Sequence, residues 1–230
     1  MDYIAVLLTG GEATRLRPLS VEFSKGLIPF LNRPMLFYAL DRLCEIGIKN
    51  VVVVVRSPEE VIEIEALDIS DFPITLNALI QPVPSGPADA VAQIPNEVIR
   101  GKHIVVVATD SLLLGGDLSV DIECWKESGA QAWLPLAYTD RPKDMGIAQL
   151  EGQHIVSFVE KPREPLSNLA CVGWWMLGPD AVDRILDEPV SNVKGELEIS
   201  GTLSAMIQEG KHIGGREFDG KWLDTGSIKS

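Results

Sequence analysis

The chain has 230 residues, 46% of them hydrophobic and 23% charged, with a formal net charge of −13. That length buries one sizeable core, the composition is ordinary for a globular protein, and the acidic balance argues against a nucleic-acid polymer as partner, because such proteins present a basic face. No apolar run approaches the roughly 20 residues needed to span a bilayer, and Met1-Asp2-Tyr3 lacks a cationic, apolar signal-peptide start, so a cytoplasmic protein with no membrane partner is expected. Cys44, Cys124 and Cys171 are dispersed and odd in number, which suggests buried thiols rather than a disulfide framework or a zinc site.

Ile4 to Leu8 is a short apolar run without helical spacing and predicts a strand covered on both faces. Pro34 to Ile46 has helical spacing and stops at Gly47; Val51 to Val55 is a β-branched run; Ser57-Pro58-Glu59-Glu60 offers an N-cap, a first-turn proline and acids that suit the helix dipole. A strand is expected over Ile74 to Ile80, a helix over Ala88 to Ile99 interrupted by Pro95, and a strand over Ile104 to Ala108 that runs into Thr109-Asp110. The second half predicts helices near Asp117 to Ser128, Pro179 to Asp187 and Glu198 to Glu209, strands near Ala132 to Ala137 and Ile155 to Val159, and a short strand opened by Gly146. No linker, repeat or low-complexity run divides the chain, so it reads as one domain. Alternation of this kind predicts an α/β fold with a mixed, mostly parallel sheet, helices on both faces, and ligands at the carboxyl ends of the strands, where Asp110 sits.

The segment from Ile4 to Leu36 carries the most chemistry. Its apolar run, closed by Leu8, empties into Gly10 and Gly11, where the absence of Cβ atoms permits a tight turn and lets backbone N–H groups approach an anion. Thr14, Arg15, Arg17 and Lys25 follow, a planar fork and a point charge among them, which together suit phosphate. The loop reads G-G-E-A-T-R, so the dinucleotide fingerprint G-x-G-x-x-G is absent, and with it the case for an oxidoreductase. The only near match to a Walker A loop, Gly215 to Lys221, has Trp222 in place of the metal-binding hydroxyl.

Leu8, Gly11, Thr14, Arg15, Leu16, Pro18, Lys25, Pro29, Asn32, Pro34, Met35 and Leu36 fit the signature of the sugar-phosphate nucleotidylyltransferases, a family the chain resembles from residue 3 to residue 228. Ala13 stands where that family usually has glycine, Pro87 where it often has threonine, and Gly201 where it often has aspartate. The resemblance implies a Rossmann-like three-layer α/β/α nucleotidyltransferase domain, with a nucleotide-binding part over about residues 1–115 and a sugar-phosphate-binding part over about 116–230. It also implies individual roles. Leu8, Gly10, Gly11 and Thr14 would lie along the nucleotide, Gln81 would bond the base edge, and Gly86 would let the ring lie against backbone. Asp110, and Asp224 in Trp222-Leu223-Asp224-Thr225-Gly226, would hold Mg²⁺, an ion that takes hard oxygen ligands and keeps several waters. Glu160 and Lys161 of the E-K-P triplet, with Gly146, Asn168, Gly173 and Glu196, would bind the sugar phosphate.

The implied reaction joins a sugar-1-phosphate to a nucleoside triphosphate and releases pyrophosphate. Arg15 would neutralise the departing pyrophosphate, Lys25 the triphosphate near the reacting centre, and Lys161 the attacking phosphate. A net acidic protein can bind two anions if its cations gather at one cleft with a metal, because distant carboxylates are screened beyond about 8 Å. His103, His154 and His212 are scattered and receive no role. Base, sugar and oligomeric state stay open, as do a non-sugar substrate such as choline phosphate and a non-catalytic sugar-nucleotide sensor on the same fold.

Overall fold

The structure is a computed structural model that describes residues 3–10, 16, 24–192 and 195–226. The apolar run forms β1 (Tyr3–Leu8), and a single 3-10 turn over Lys25–Leu27 leads into the hairpin β2 (Pro29–Phe30) and β3 (Arg33–Pro34). Helix α1 (Met35–Glu45) ends at Gly47, which takes a left-handed φ of 75°, and β4 (Asn50–Val55) follows. Ser57 caps α2 (Pro58–Glu65) by accepting from Glu60 N at 3.4 Å, as its sequence predicts. After β5 (Thr75–Ile80), Pro95 divides the expected helix into α3 (Pro87–Ala92) and α4 (Asn96–Ile99), since proline lacks the N–H that a continuous helix needs. Then come β6 (His103–Ala108), β7 (Ser111–Leu114) and α5 (Leu118–Ser128), the last capped by Asp117. The remaining elements are β8 (Ala132–Tyr138), a 3-10 turn over Pro142–Asp144, β9 (Gly146–Glu151), β10 (His154–Glu160), β11 (Leu169–Cys171), β12 (Trp174–Leu177), α6 (Pro179–Asp187), α7 (Ile199–Gln208), β13 (Ile213–Glu217) and β14 (Lys221–Asp224).

Ten strands make the central sheet in the order β11-β9-β10-β13-β8-β12-β6-β1-β4-β5. Only the side β6-β1-β4-β5 is parallel throughout. Beyond β6 the pairings are antiparallel except that of β13 with β8, so the sheet is mixed and the expectation of a mostly parallel one is corrected. The cause is connection length. β9 and β10 are joined by a turn, and a chain that turns back without a crossover helix can only pair antiparallel, whereas β11 and β12 run on in one direction, both antiparallel to β8. β11 also pairs with β8, which closes β8, β13, β10, β9 and β11 into a ring.

Cores form on both faces of the sheet. Val6, Val54 and Val106 pack with Val91 of α3, Ile185 of α6 and Leu203 of α7; Ala5, Leu7 and Val105 turn the other way, onto Leu40 of α1, Ile64 of α2 and Trp125 of α5. Among the described residues no helix is long and apolar enough to cross a membrane.

Candidate active site

The carboxyl end of β6 delivers Thr109 and Asp110. Thr109 Oγ1 donates to Leu8 O at 3.0 Å and Thr9 Oγ1 donates to Val54 O at 2.7 Å, so two buried hydroxyls tie the ends of β6, β1 and β4 together. β14 pairs antiparallel with β7 in a register that sets Asp224 opposite Ser111, and this brings Asp224 beside Asp110 across more than a hundred residues of sequence. Thr225 fixes the junction, donating to Asp110 O from both its N and its Oγ1 at 2.8 Å. A Cβ added to Gly226 would lie 2.8 Å from Asp110 Oδ2 and 3.0 Å from Asp224 Oδ1, so both carboxylates face one point that only glycine leaves open.

Each carboxylate carries a side-chain cation. Lys25 Nζ lies 2.9 Å from Asp110 Oδ2, and Arg141 Nη2 lies 3.1 Å from Asp224 Oδ2. Lys25 reaches Asp110 because the neighbouring Gly26 is packed on Thr9; a Cβ there would sit 2.7 Å from Thr9 Cγ2. Two convergent hard oxygen donors fit an ion such as Mg²⁺, whose other positions go to water and phosphate. Among the described residues no group of three or more His, Cys, Asp or Glu could hold a metal, so the protein would supply a partial set.

Gly10, Gln81 and Gly86 meet at the ends of β1 and β5. Gln81 is 4% exposed, and its Nε2 donates to Asp89 Oδ2 at 2.6 Å and to Gly86 O at 3.2 Å. A carboxylate only accepts, so Asp89 fixes which end of the amide is nitrogen and turns Gln81 Oε1 toward Gly10, whose added Cβ would lie 3.5 Å from it. Gly86 has a φ of 106°, and its close neighbour is the Leu197 backbone; Leu197 N donates to Ser85 O at 2.7 Å, and Ala88 N to Leu197 O at 3.0 Å. The positive φ and this close backbone approach each require glycine there.

Gly146 stands opposite Glu160 in the β9–β10 register, and a Cβ on it would come 2.8 Å from Glu160 Oε2. Lys161 follows with a φ of 45°, its N donating to Met145 O at 2.9 Å and its Nζ 3.1 Å from Glu160 Oε1, on a side chain 59% exposed. Glu196 accepts from Asn192 Nδ2 at 2.9 Å, and the same amide reaches Glu198 Oε1 at 3.1 Å. Burial pushes the Glu198 carboxyl up, and the nearby charge of Glu160 adds to the shift while Lys161 opposes it. Glu160 and Glu198 therefore both lie near Lys161, with Glu196 beside Glu198. Asn168 is turned elsewhere, donating to Thr139 O at 3.0 Å, and Gly173 is backed onto Ser111 beside Asp110, with its O accepting from Ala108 N at 2.8 Å.

The structure thus joins Lys25, Asp110 and Asp224 in one cluster, Leu8, Gly10, Gln81 and Gly86 at the strand ends, and Gly146, Glu160, Lys161 and Glu196 around β10. Gly11, Thr14 and Arg15 lie outside the described residues. A cleft of about 500 Å³ opens beside Asp224, lined by Phe30, Tyr138, Arg141, Trp222 and Thr225. Arg141, Glu198, Gly26 and Gly226 escaped the sequence reading. Of these, Gly226 lies inside a motif already singled out and Glu198 two residues from Glu196, whereas nothing in its neighbourhood marks Arg141.

Comparison with known proteins covers nearly the whole chain. The family model described as nucleotidyl transferase matches residues 4–230. The low-salt glycan biosynthesis nucleotidyltransferase Agl11 of Haloferax volcanii is 31% identical over 96% of this chain, which spans 62% of that protein's length. The glucose-1-phosphate thymidylyltransferase of Neisseria meningitidis serogroup A is 31% identical over 98% of this chain and 78% of its own. A UDP-glucose pyrophosphorylase solved with UDP-glucose superposes on the whole chain and 95% of its own with a TM-score of 0.87 at 21% identity, a likeness of fold. The chain belongs to the nucleotidyl transferase family.

Proposed function

We propose that the chain is a divalent-cation-dependent nucleotidylyltransferase that joins a nucleoside triphosphate to a sugar-1-phosphate on a Rossmann-like frame. The observation that carries this reading is the convergence of Asp110 and Asp224 on one point with Lys25 against it, at the carboxyl ends of β1 and β6. Names of relatives support the substrate class: thymidylyltransferases act on glucose-1-phosphate, and the rice relatives are named mannose-1-phosphate guanylyltransferases. An oxygen of the sugar phosphate would attack the α-phosphorus in line; that P–O bond forms as the α–β bridging P–O bond breaks, and pyrophosphate leaves with the electron pair.

Asp110 and Asp224 would hold Mg²⁺, which when bound supplies charge neutralisation to the phosphates. Lys25 and Arg15 then bind the triphosphate and the departing pyrophosphate, and Lys161 binds the attacking phosphate while Glu160 and Glu196 accept from sugar hydroxyls. The orientation of Gln81 supports a preference among bases. With Nε2 committed to Asp89, Oε1 is the atom left to accept, which suits the ring N–H of uracil, thymine or guanine, whereas cytosine could offer it only its exocyclic amino group. Substrate-free geometry alone would also fit a sugar-nucleotide sensor, and the carboxylates of Glu160 and Glu198 near Lys161 would suit the ammonium of choline phosphate.

The deciding experiment incubates the protein with Mg²⁺, each nucleoside triphosphate and a panel of sugar-1-phosphates plus choline phosphate, and assays pyrophosphate. Release with a sugar-1-phosphate is expected. Release with choline phosphate alone would move the substrate class, and binding of nucleotide without release from any pair would make the chain a sensor.

A further inference from the structure

The loop between β8 and β9 carries a cation that the family resemblance left unassigned. Arg141 donates from Nη2 to Asp224 Oδ2 at 3.1 Å, while Asp224 Oδ1 accepts from Gly226 N at 3.0 Å and faces the point shared with Asp110. Among the described residues this is the guanidinium's one side-chain partner, and the contact is end-on. One N–H of five is used, and the bidentate fork that makes arginine–carboxylate pairs strong is not formed. The base of the side chain is fixed by contrast. Arg141 N donates to Thr139 Oγ1 at 3.1 Å, Thr139 is 6% exposed, and Asn168 clamps it through a backbone bond of 2.9 Å and an amide bond of 3.0 Å. A lightly held cation on a rigid base, 39% exposed at the wall of the cleft beside Asp224, is placed to change partners.

Lys25 on Asp110 is a contact of the same kind from the other half of the chain, so each carboxylate is neutralised by one monovalent side chain. A divalent ion between the two carboxylates competes with both cations, because like charges a few Å apart repel in a partly desolvated site. Phosphate oxygens that arrive with the ion offer the planar guanidinium the two-point geometry that Asp224 does not. We propose that Arg141 is a phosphate-binding residue of the acceptor side, which neutralises Asp224 until a divalent cation binds and then turns to the phosphate of the sugar-1-phosphate. This rests on the function proposed above, and Thr139 and Asn168 act in it as positioning residues.

Binding measurements on the full chain test it without turnover. In Arg141→Gln, Mn²⁺ titrated into the substrate-free protein and followed by electron paramagnetic resonance should bind about three- to ten-fold tighter than in wild type, since a competing charge has gone. Calorimetry on the Mn²⁺-loaded protein should show glucose 1-phosphate bound about ten-fold or more weakly, partial recovery in Arg141→Lys, and nucleoside triphosphate binding changed less than about two-fold. A merely structural role would loosen all three ligands together. Mn²⁺ affinity unchanged or lowered in Arg141→Gln, or a loss that falls on the nucleotide, overturns the proposal. Should the wild type make no pyrophosphate from any pair while Mn²⁺ still tightens in the variant, the transferase reading falls and the exchange of cations on Asp224 stands.

Discussion

Lys161 occupies a left-handed φ of 45°, where a non-glycine residue pays roughly 1–2 kcal/mol. Its N–H bond to Met145 O and the strand pair Gly146–Glu160 hold it there, which is how strain persists at functional positions. Two substitutions separate its backbone from its charge. Lys161→Gly and Lys161→Ala should both lose most turnover with sugar-1-phosphate, while Lys161→Gly should unfold with a free energy about 1 kcal/mol higher than Lys161→Ala. Equal stability of the two by urea denaturation would remove the strain from the account. Glu198 gives a pH-dependent counterpart. Its folded carboxyl is raised above the ordinary 4.5, so the folded state holds this proton more tightly than the unfolded chain does. That contribution to stability is complete below the unfolded value and is lost as pH rises through the raised folded one. Glu198→Gln should therefore melt about 1–2 °C above wild type at pH 7 and at the same temperature near pH 4, a small gain because the group keeps part of its hydration. A gain that persists at low pH would point to packing instead. At this scale the sequence was readable where motifs are contiguous, as in Glu160-Lys161, and silent at Arg141, whose meaning arises only from its approach to Asp224.

At the scale of elements, chemistry depends on short pieces that bring long ones into contact. The 3-10 turn Lys25–Leu27 is one: Gly26 is buried against Thr9 at the end of β1, and this close approach sets the Lys25 ammonium on Asp110. Gly26→Ala would push a methyl into Thr9, and the turn would have to lift. We expect a loss of about 1–3 kcal/mol in stability, in the range for overpacking a filled site, with a fall in turnover approaching that of Lys25→Ala. Unchanged stability would show that the turn yields freely, and wild-type turnover would detach Lys25 from its position. The elements the sequence made legible were those with strong periodicity or branched runs, such as α1, β4 and β6. Those it hid, β2, β3, β7, β11, β12, β13 and β14, are two to five residues long, too short for two-residue alternation to emerge. Their absence from the reading is why the sheet was expected to be mostly parallel, and why the route by which Asp224 reaches Asp110 could be inferred only from resemblance.

Across the whole molecule, the formal charge of −13 must be reconciled with the two anionic substrates proposed above, and the carboxylate pair is where that balance would be struck. Asp110 comes from the parallel side of the sheet, and Asp224 comes from β14 near the end of the described chain, joined to it through β7. In the substrate-free protein each is offset by a cation of its own, Lys25 or Arg141, so a divalent ion that displaces them links distant parts of the chain through one site. An ion that binds the folded form and not the unfolded one stabilises it by mass action, by about 2.7 kcal/mol at a hundred times its dissociation constant, which for a chain of this size is a rise in melting temperature of about 5–10 °C. Mg²⁺ should therefore raise the melting temperature of the wild type, the chelator EDTA should reverse it, and Asp110→Asn and Asp224→Asn should each need about 10- to 100-fold more Mg²⁺ for the same shift. Both variants should also require more Mg²⁺ for turnover. The two substitutions should not add, since either one already breaks the shared site and leaves a single carboxylate that holds the ion only weakly. Full wild-type shifts in both variants would mean that the ion binds away from these residues, and a shift lost in one variant only would mean that the two carboxylates do not share it.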